Sequence, residues 1–320
     1  MIAVNNIIRS VQRITDTSTN KFNILTICRN NEKYINLLCQ SPHNWYVLDS
    51  HPWNSLIARR PENLFTLTAH SNPLDCIVCY DRAEQYEEAQ NIASKFHIPI
   101  VLVDMCSQPL IRPHNIVETL QPRNPASLYR KPALSISGSS SIQESWNKDS
   151  VSVVIPIGID TNIYKPEQDL NEVLISIDNN VNSQVGAEIS NRLAGYRILP
   201  TDHEDIATSI TVNKTHYFIN TQSTVTIKTL EAMAAANVVI CIKNQDTETI
   251  IEHEKTGILI DSLDSLGPVV EYLEKSKDLK SKIGNAARKK VISDHPLEDF
   301  ISKWTNVFTM IKASFYAPSV

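Results

Sequence analysis

An acidic and a basic side chain, Glu231 and Lys228, lie close together near the start of a predicted helix, after cap-forming residues at 221–224. The helix is predicted to bury one stripe of apolar residues at spacings of three and four: Ile227, Leu230 and Ala234. Glu231 falls at the edge of this stripe, where an unpaired charge is costly, so we expect it to have a polar partner. Amides at a helix N-terminus have no acceptor within the helix, so together with Lys228 they suit an anionic group.

Alternating strands and helices surround this pair. Residues 215–261 are predicted to run strand, helix, strand, helix, strand. Further buried strands are predicted at Phe22–Cys28, Trp45–Leu48, Asp75–Tyr80, Pro99–Asp104, Val173–Ile177 and Tyr196–Leu199. A helix between the third and fourth of these is predicted to bury Ala89, Ile92, Ala93 and Phe96. Such alternation predicts α/β domains with right-handed parallel crossovers.

Three polar segments of the first half follow or connect predicted strands, where open parallel sheets bind ligands. Arg29–Lys33 follows the first strand, and a loop with His51 and Trp53 follows the second. Met105–Pro132 holds five prolines and four cations against the single acid Glu118. A long loop of this kind is usually functional or mobile. Each segment can also be an ordinary solvated turn or loop, and that alternative stays open.

Composition excludes several classes of protein. The chain has 320 residues, 42% hydrophobic and 20% charged, with a net charge of −5, which is typical of a soluble globular protein without a general affinity for nucleic acid or membrane. None of its seven glycines precedes Gly138, which excludes a dinucleotide fingerprint or P-loop from the first half. The six cysteines, including Cys76-x-x-Cys79, are predicted to be reduced core thiols rather than zinc ligands. The polar first 20 residues are not a signal peptide, so a cytoplasmic location is expected.

The segment LEAMAAANVVICIKNQDTETIIEHEKTGILID, which ends at Asp261, resembles the nucleotide-sugar motif of the family-four retaining glycosyltransferases. That family pairs two glutamates eight positions apart; the second matches Glu231 and the first falls on Ser223. Ala236 and Val238 stand where the family usually has Gly and Pro. VSVVIPIGIDTNIYKP (Val151–Pro166) resembles the interdomain segment of the same family, and its role is expected to be architectural.

The resemblance implies the GT-B fold, an α/β architecture of two doubly wound, Rossmann-like domains facing a cleft. Residues 1–160 would bind the acceptor, residues 161–298 would bind the donor, and 299–320 would form a helix that crosses back onto the first domain. Trp304 and Phe308, spaced four apart, suit that docking role.

The resemblance further implies a glycosyltransferase, a hexosyl- or pentosyltransferase, acting with retention, without a metal, and with a UDP- or GDP-linked sugar as co-substrate. Glu231 would accept hydrogen bonds from both ribose hydroxyls, and Lys228 or Arg29 would stabilise the leaving diphosphate. The helix-opening amides of Thr224, Val225 and Thr226 would bind the sugar and diphosphate. The remaining expected donor contacts are Ser223, Asn179 and a turn at Pro200 and Thr201 that holds the nucleobase. Thr201-x-x-Glu204 is interpreted as a capping box, not a metal cluster.

The expected acceptor contacts are His51, Trp53, Asp104, Arg112, Arg123 and Arg130. The basic residues among them would suit an anionic acceptor, either a glycan or a modified nucleic acid. Two alternatives remain open. The chain can be a phage-type DNA glycosyltransferase acting on hydroxymethylated bases, or a sugar-nucleotide-binding protein without turnover, which Ser223 and the missing basic residue near Asn179 favour.

Overall fold

The computed structural model describes residues 21–28, 32–50, 60–68, 71–80, 84–104, 132–146, 151–167, 173–178, 183–201, 206–222 and 225–315. They form two compact units. The first contains the described residues up to Pro156 and the C-terminal residues from Glu298, and the second contains Ile157–Leu297. Each unit is built on its own parallel sheet.

The first unit contains a seven-stranded parallel sheet in the order β3-β2-β1-β4-β5-β6-β7. Its strands are β1 (Asn23–Ile27), β2 (Asn44–Val47), β3 (Leu64–Thr66), β4 (Cys76–Cys79), β5 (Ile100–Asp104), β6 (Leu134–Ser137) and β7 (Ser152–Val154). Its helices are α1 (Glu32–Leu38), α2 (Glu84–Phe96) and α3 (Ser140–Trp146). All residues of β4, β5 and β6 are buried, as expected for central strands covered on both faces.

The second unit contains a five-stranded parallel sheet in the order β12-β11-β10-β8-β9. Its strands are β8 (Leu174–Asp178), β9 (Arg197–Thr201), β10 (Tyr217–Asn220), β11 (Val238–Ile242) and β12 (Ile258–Ile260). Its helices are α4 (Ser183–Arg192), α5 (Ile206–Lys214), α6 (Ile227–Ala234), α7 (Gln245–Ile250), α8 (Leu266–Lys275) and α9 (Lys277–Asp294). The chain adds β9 on one side of β8 and then returns to place β10 on the other, so the strand order reverses between β8 and β10.

The last helix, α10 (Leu297–Phe315), packs on the first unit. Trp304 and Phe308 are both 1% exposed. The Phe308 ring lies 5.8 Å from that of Trp45 and 5.9 Å from that of Phe22. The predicted docking role of the two aromatic residues is therefore confirmed, and apolar burial drives it.

Two details of the predicted elements are wrong. Phe96 is the last residue of α2 and is 60% exposed, because the chain turns at His97 (φ 53°) and Ile98 and Ile100 fill the core instead. The predicted turn at Pro200 and Thr201 is the end of β9, paired with Ile177 and Asp178 of β8. Residues 202–204, the rest of the predicted capping box, lie outside the described residues.

The five cysteines within the described ranges are buried free thiols, as predicted; Cys106 lies outside those ranges. Among the described residues, no helix has the length and hydropathy needed to cross a membrane. No group of three or more His, Cys, Asp or Glu side chains in these residues has the arrangement of a metal site.

Candidate functional site

The carboxyl end of β10 leads into the helix that carries Glu231 and Lys228. Asn220, the last residue of β10, is 1% exposed, and its side-chain oxygen accepts a hydrogen bond of 2.9 Å from the amide of Gln222. This turn carries the chain off the sheet next to the reversal between β8 and β10. Open α/β sheets bind their ligands at such a point, outside the carboxyl ends of the strands.

Helix α6 begins later than the sequence predicts. Thr226 is its N-cap: the Thr226 hydroxyl accepts from the amide of Thr229 at 3.2 Å, and the Thr226 amide donates to the Thr229 hydroxyl at 3.3 Å. The predicted helix-opening amides of Thr224, Val225 and Thr226 therefore precede the helix, and that of Thr226 is already engaged. The first two helical amides belong to Ile227 and Lys228, positions without an acceptor inside an α-helix.

Helix α6 is buried on all sides rather than along one stripe. Every residue from Lys228 to Ala234 is buried, whereas Ile227, predicted to face inward, is only half-buried. Neighbouring elements cover the helix on several sides, since α6 contacts β10 and β11 on one side and α5 and α9 on others. Glu231 is therefore a buried carboxylate, 3% exposed, and not a residue at the edge of a stripe.

The side chain of Tyr164 lies near the Glu231 carboxylate. Burial raises the pKa of Tyr164 well above its usual value, and the negative charge of Glu231 raises it further. The phenol therefore stays protonated. The sequence indicated an architectural role for the segment that carries Tyr164 and did not predict that this side chain lies near Glu231.

The segment that carries Tyr164 is fixed to the second unit. The amide of Ile159 donates to the carbonyl of His295 at 2.9 Å. The amide of Tyr164 donates to the carbonyl of Asp160 at 3.1 Å. The side chain of Asn213 accepts from the Lys165 amide at 3.1 Å and donates to the Ile163 carbonyl at 2.9 Å. The segment is therefore a well-anchored part of this unit, beginning at Ile157.

Lys228 lies on the same face of α6 as Glu231, three residues before it. It is 8% exposed, so almost all of this residue lies out of contact with water. Buried lysines are held by partners, and a carboxylate or phosphate is the kind of group that stabilises one. The structure therefore places a buried lysine and a buried glutamate on the same face of α6.

The other predicted site residues are placed only in part. Pro200 and Thr201 end β9 on the far side of β8 from β10. Asp104 ends β5 in the first unit, is 4% exposed and lies beside Ser137 of β6 in the sheet. The remaining predicted contacts lie outside the described residues: Arg29, His51, Trp53, Arg112, Arg123, Arg130, Asn179, Ser223 and Thr224.

The region around this site matches a known protein family in sequence. Residues 201–305, which include α6 and Glu231, match the sequence model of the family described as "Glycosyl transferase-like". Tyr164 lies before the matched region. No curated protein matches the sequence.

Solved structures of glycosyltransferases resemble the whole chain. Sucrose-phosphate synthase from Thermosynechococcus elongatus has a TM-score of 0.71 at 9% identity, over 92% of this chain and 100% of that one. A glycosyltransferase from Rickettsia africae has a TM-score of 0.64 at 15% identity, over 94% and 100%. HepE from Anabaena, solved in complex with UDP, has a TM-score of 0.66 at 11% identity, over 90% and 99%. The predicted fold class is confirmed: the chain has two Rossmann-like α/β domains of the GT-B type, with most of the glycosyl transferase-like region in the second.

Proposed function

We propose that this protein transfers a sugar from a nucleotide-sugar donor to an acceptor hydroxyl, with retention and without a metal ion. The observation that carries the proposal is the buried carboxylate of Glu231 in α6, inside the glycosyl transferase-like region 201–305. The GT-B fold agrees with it, and HepE, a protein of similar fold, has been solved with UDP-glucose.

In the proposed donor site, Glu231 binds the ribose. A carboxylate offers two oxygens with about four acceptor positions, so it can accept from both ribose hydroxyls. Hydrogen bonds to an ionised acceptor are short and strong, which suits a group that must select a ribonucleotide. The buried position of Glu231 strengthens these bonds further, because water does not compete for them.

The diphosphate is proposed to lie at the N-terminus of α6. The amides of Ile227 and Lys228 occupy the first helical positions, and the partial positive charge of the helix end favours an anion there. The Lys228 ammonium lies within the same turn and supplies a full charge. Ser223 and Thr224, together with Arg29 in the other domain, remain proposed contacts of the sugar or diphosphate.

The proposed chemistry is stabilisation of a leaving group. The bond between the anomeric carbon and the diphosphate oxygen breaks, and the acceptor oxygen bonds to that carbon. The acceptor proton passes to the departing phosphate or to solvent. Negative charge that develops on the diphosphate is stabilised by Lys228 and the helix amides, which are in place before the reaction. No side-chain nucleophile is required, and positioning of donor and acceptor supplies the remaining rate enhancement.

The test combines binding with turnover. Calorimetry with UDP, GDP, UDP-glucose and GDP-mannose measures binding, and release of UDP or GDP from the sugar nucleotide measures turnover. We expect saturable binding of one nucleotide series and release of the nucleotide that persists in EDTA, with the transferred sugar keeping its anomeric configuration by NMR.

Each other outcome has a defined meaning. Binding of nucleotide sugars without turnover, across candidate acceptors, indicates a sugar-nucleotide-binding protein. A complete loss of turnover in EDTA that magnesium restores contradicts the metal-free scheme. The absence of binding to every nucleotide tested overturns the proposed function.

A further inference from the structure

The strand order of the first sheet also reverses, and it does so between β1 and β4. From β1 the chain adds β2 and β3 on one side and then returns to place β4 on the other. Tyr80 directly follows β4, and its amide donates to the carbonyl of Ile27, the last residue of β1, at 3.1 Å. Tyr80 therefore lies at the carboxyl ends of the two strands that flank the reversal, where open α/β sheets bind ligands.

The ring of Tyr80 packs against buried aromatic residues. Its centre lies 5.1 Å from that of Tyr34 in α1, and the Tyr34 ring lies 6.0 Å from that of Phe300 in α10. The Phe300 ring in turn lies 6.4 Å from that of Trp304. Tyr34, Phe300 and Trp304 are at most 2% exposed, whereas Tyr80 is only half-buried. Water therefore reaches the ring at the edge of the sheet and not the rings behind it.

This packing prepares Tyr80 to bind a ligand. Aromatic pairs at such separations attract each other beyond the effect of their buried area, so they hold the Tyr80 ring in one orientation. A tyrosine has only two side-chain torsions, and little conformational entropy is left to lose when a ligand packs against it. The result is a fixed flat surface at the carboxyl edge of the sheet, and aromatic side chains of this kind line ligand pockets.

A sugar ring suits this surface. One face of a pyranose carries C–H bonds that pack against an aromatic ring, while the hydroxyls at its rim keep polar partners. Asp104, a predicted acceptor contact, ends β5, the strand next to β4, and a carboxylate there repels phosphate groups. A nucleobase is also flat and stacks on tyrosine, but the net charge of −5 disfavours a polyanion. Among flat ligands, a carbohydrate is therefore favoured over a nucleic acid.

We propose that Tyr80 binds the acceptor and that the acceptor is a carbohydrate, whose ring packs on the exposed part of the Tyr80 ring. This role rests on the proposed function and adds to it the chemical class of the acceptor and a residue that binds it. Tyr80 lies outside the region 201–305 that matches the glycosyl transferase-like family.

The test measures sugar binding directly. Saturation-transfer difference NMR follows the titration of methyl α-glucoside, methyl α-mannoside, methyl β-galactoside and N-acetylglucosamine, without nucleotide, into the wild type, Tyr80→Leu and Tyr80→Phe. Leucine keeps an apolar side chain beside Tyr34 but has no flat ring, whereas phenylalanine keeps the ring. We expect a sugar of this panel to bind the wild type, to bind Tyr80→Leu about fivefold more weakly, and to bind Tyr80→Phe within about twofold of the wild type.

Turnover gives a second readout that separates binding from folding. With the sugar that binds as acceptor, release of UDP or GDP from the sugar nucleotide is measured while each substrate is varied in turn. We expect Tyr80→Leu to raise the KM for the acceptor about fivefold and to leave the KM for the sugar nucleotide unchanged, because the donor is proposed to bind in the second unit. A loss of folded protein would instead lower the rate and change neither KM.

A matched control lies on the same sheet. Phe65 of β3 is 43% exposed, and its ring lies 5.7 Å from that of the buried Tyr46. Strand β3 forms one edge of the sheet and is separated from β1 by β2. Phe65→Leu therefore removes a partly exposed aromatic ring that packs on a buried tyrosine, but away from the reversal. We expect this variant to bind the sugar as the wild type does.

The outcomes separate the role of Tyr80 from the proposed function. If the wild type turns over a sugar nucleotide and Tyr80→Leu binds the sugar equally well, the role of Tyr80 is overturned and the proposed function stands. Equal weakening in Phe65→Leu also overturns it. If no sugar of the panel binds the wild type, the carbohydrate class is overturned, and binding of a thymidine oligonucleotide in its place indicates a nucleic acid. If sugars bind through Tyr80 but no nucleotide sugar binds, the acceptor role fails together with the proposed function.

Discussion

The hydroxyl of Tyr217 and the carboxylate of Glu274 form a hydrogen bond of 2.6 Å that joins β10 to α8 in the second domain. Lys280 of α9 donates to the same carboxylate at 2.8 Å, so three elements meet at one partly buried acid. The Lys280 ammonium also lies 5.7 Å from the centre of the Tyr217 ring. Charge-assisted hydrogen bonds of this kind stabilise more than neutral ones.

This network predicts a loss of stability in acid. Burial acts to raise the pKa of Glu274, but hydrogen bonds from Lys280 and Tyr217 outweigh it and lower the pKa below its usual 4.5. Because the folded-state pKa lies below that of the unfolded chain, the stabilisation is complete above about pH 4.5 and is lost as the pH falls through the folded value.

The measurement compares urea unfolding of the wild type and Glu274→Gln between pH 7 and pH 3. We expect the wild type to be more stable at pH 7 and the difference to shrink below pH 4.5. Glu271→Gln, at an exposed acid on the same helix, is the control and should follow the wild type. A difference that stays constant with pH would show that Glu274 does not titrate differently on folding.

His43 predicts a second acid-sensitive step, in the first domain. Its ring packs 5.2 Å from Phe22 and 5.3 Å from Phe308 of α10, and burial lowers its pKa from 6.5 to about 4, although the charge of Asp75 opposes this. Because the pKa of His43 is lower in the folded protein, this histidine binds a proton at a higher pH in the unfolded chain than in the folded one. Stability should therefore decrease as the pH falls from 6.5 towards 4 and level off below, by on the order of 3 kcal/mol in all.

His43→Leu keeps an apolar side chain between the two phenylalanines and removes the titration. We expect the slope of unfolding free energy against pH between 6.5 and 4 to flatten in this variant. His253→Leu, at an exposed histidine, is measured beside it as a surface control. An unchanged slope in His43→Leu would exclude His43 as its origin.

Replacing Ala236 by glycine is predicted to stabilise the protein. Ala236 follows α6 with φ of 59°, a left-handed conformation that costs a residue with a Cβ about 1–2 kcal/mol. Glycine removes this strain but loses more entropy on folding, so Ala236→Gly should stabilise by about 0.5–1 kcal/mol. Ala235, with φ of −80°, is the matched control, and Ala235→Gly should destabilise. Chemical denaturation of both variants tests the sign, and equal losses of stability would contradict the prediction.

The same residue explains a close packing contact. A Cβ on Gly284 of α9 would lie 2.2 Å from the carbonyl oxygen of Ala236, so α9 approaches this turn as closely as a glycine allows. The helix that covers the outer face of α6 is thus fixed at the turn that ends α6.

Much of the fold was readable from the sequence. The strands FNILTIC, DCIVCY and PIVLVD were identified within one or two residues, because strands buried on both faces are continuous apolar runs bounded by polar residues. The docking of Trp304 and Phe308 followed from their helical spacing. The need of Glu231 for a partner followed from the cost of an unpaired charge.

The rest depended on contacts between residues distant in the chain. Thr226 caps α6 through Thr229, and a threonine at that position lacks the glutamate of the usual capping-box signature. Periodicity could not show that α9 covers a second face of α6. Nor could it show that the side chain of Tyr164 lies near Glu231, since the two residues lie on separate elements.

The most direct test of the ribose-binding role is the affinity of Glu231→Gln for UDP and GDP by calorimetry. Glutamine keeps the shape of the side chain and one acceptor oxygen, but it loses the charge and the second acceptor oxygen. Glu274→Gln is the control for loss of a partly buried carboxylate in the same domain. We expect Glu231→Gln to lose about 1.5–3 kcal/mol of binding free energy, a weakening of at least tenfold, while Glu274→Gln binds as the wild type does. Unchanged affinity of Glu231→Gln for every nucleotide that the wild type binds would contradict the proposed site.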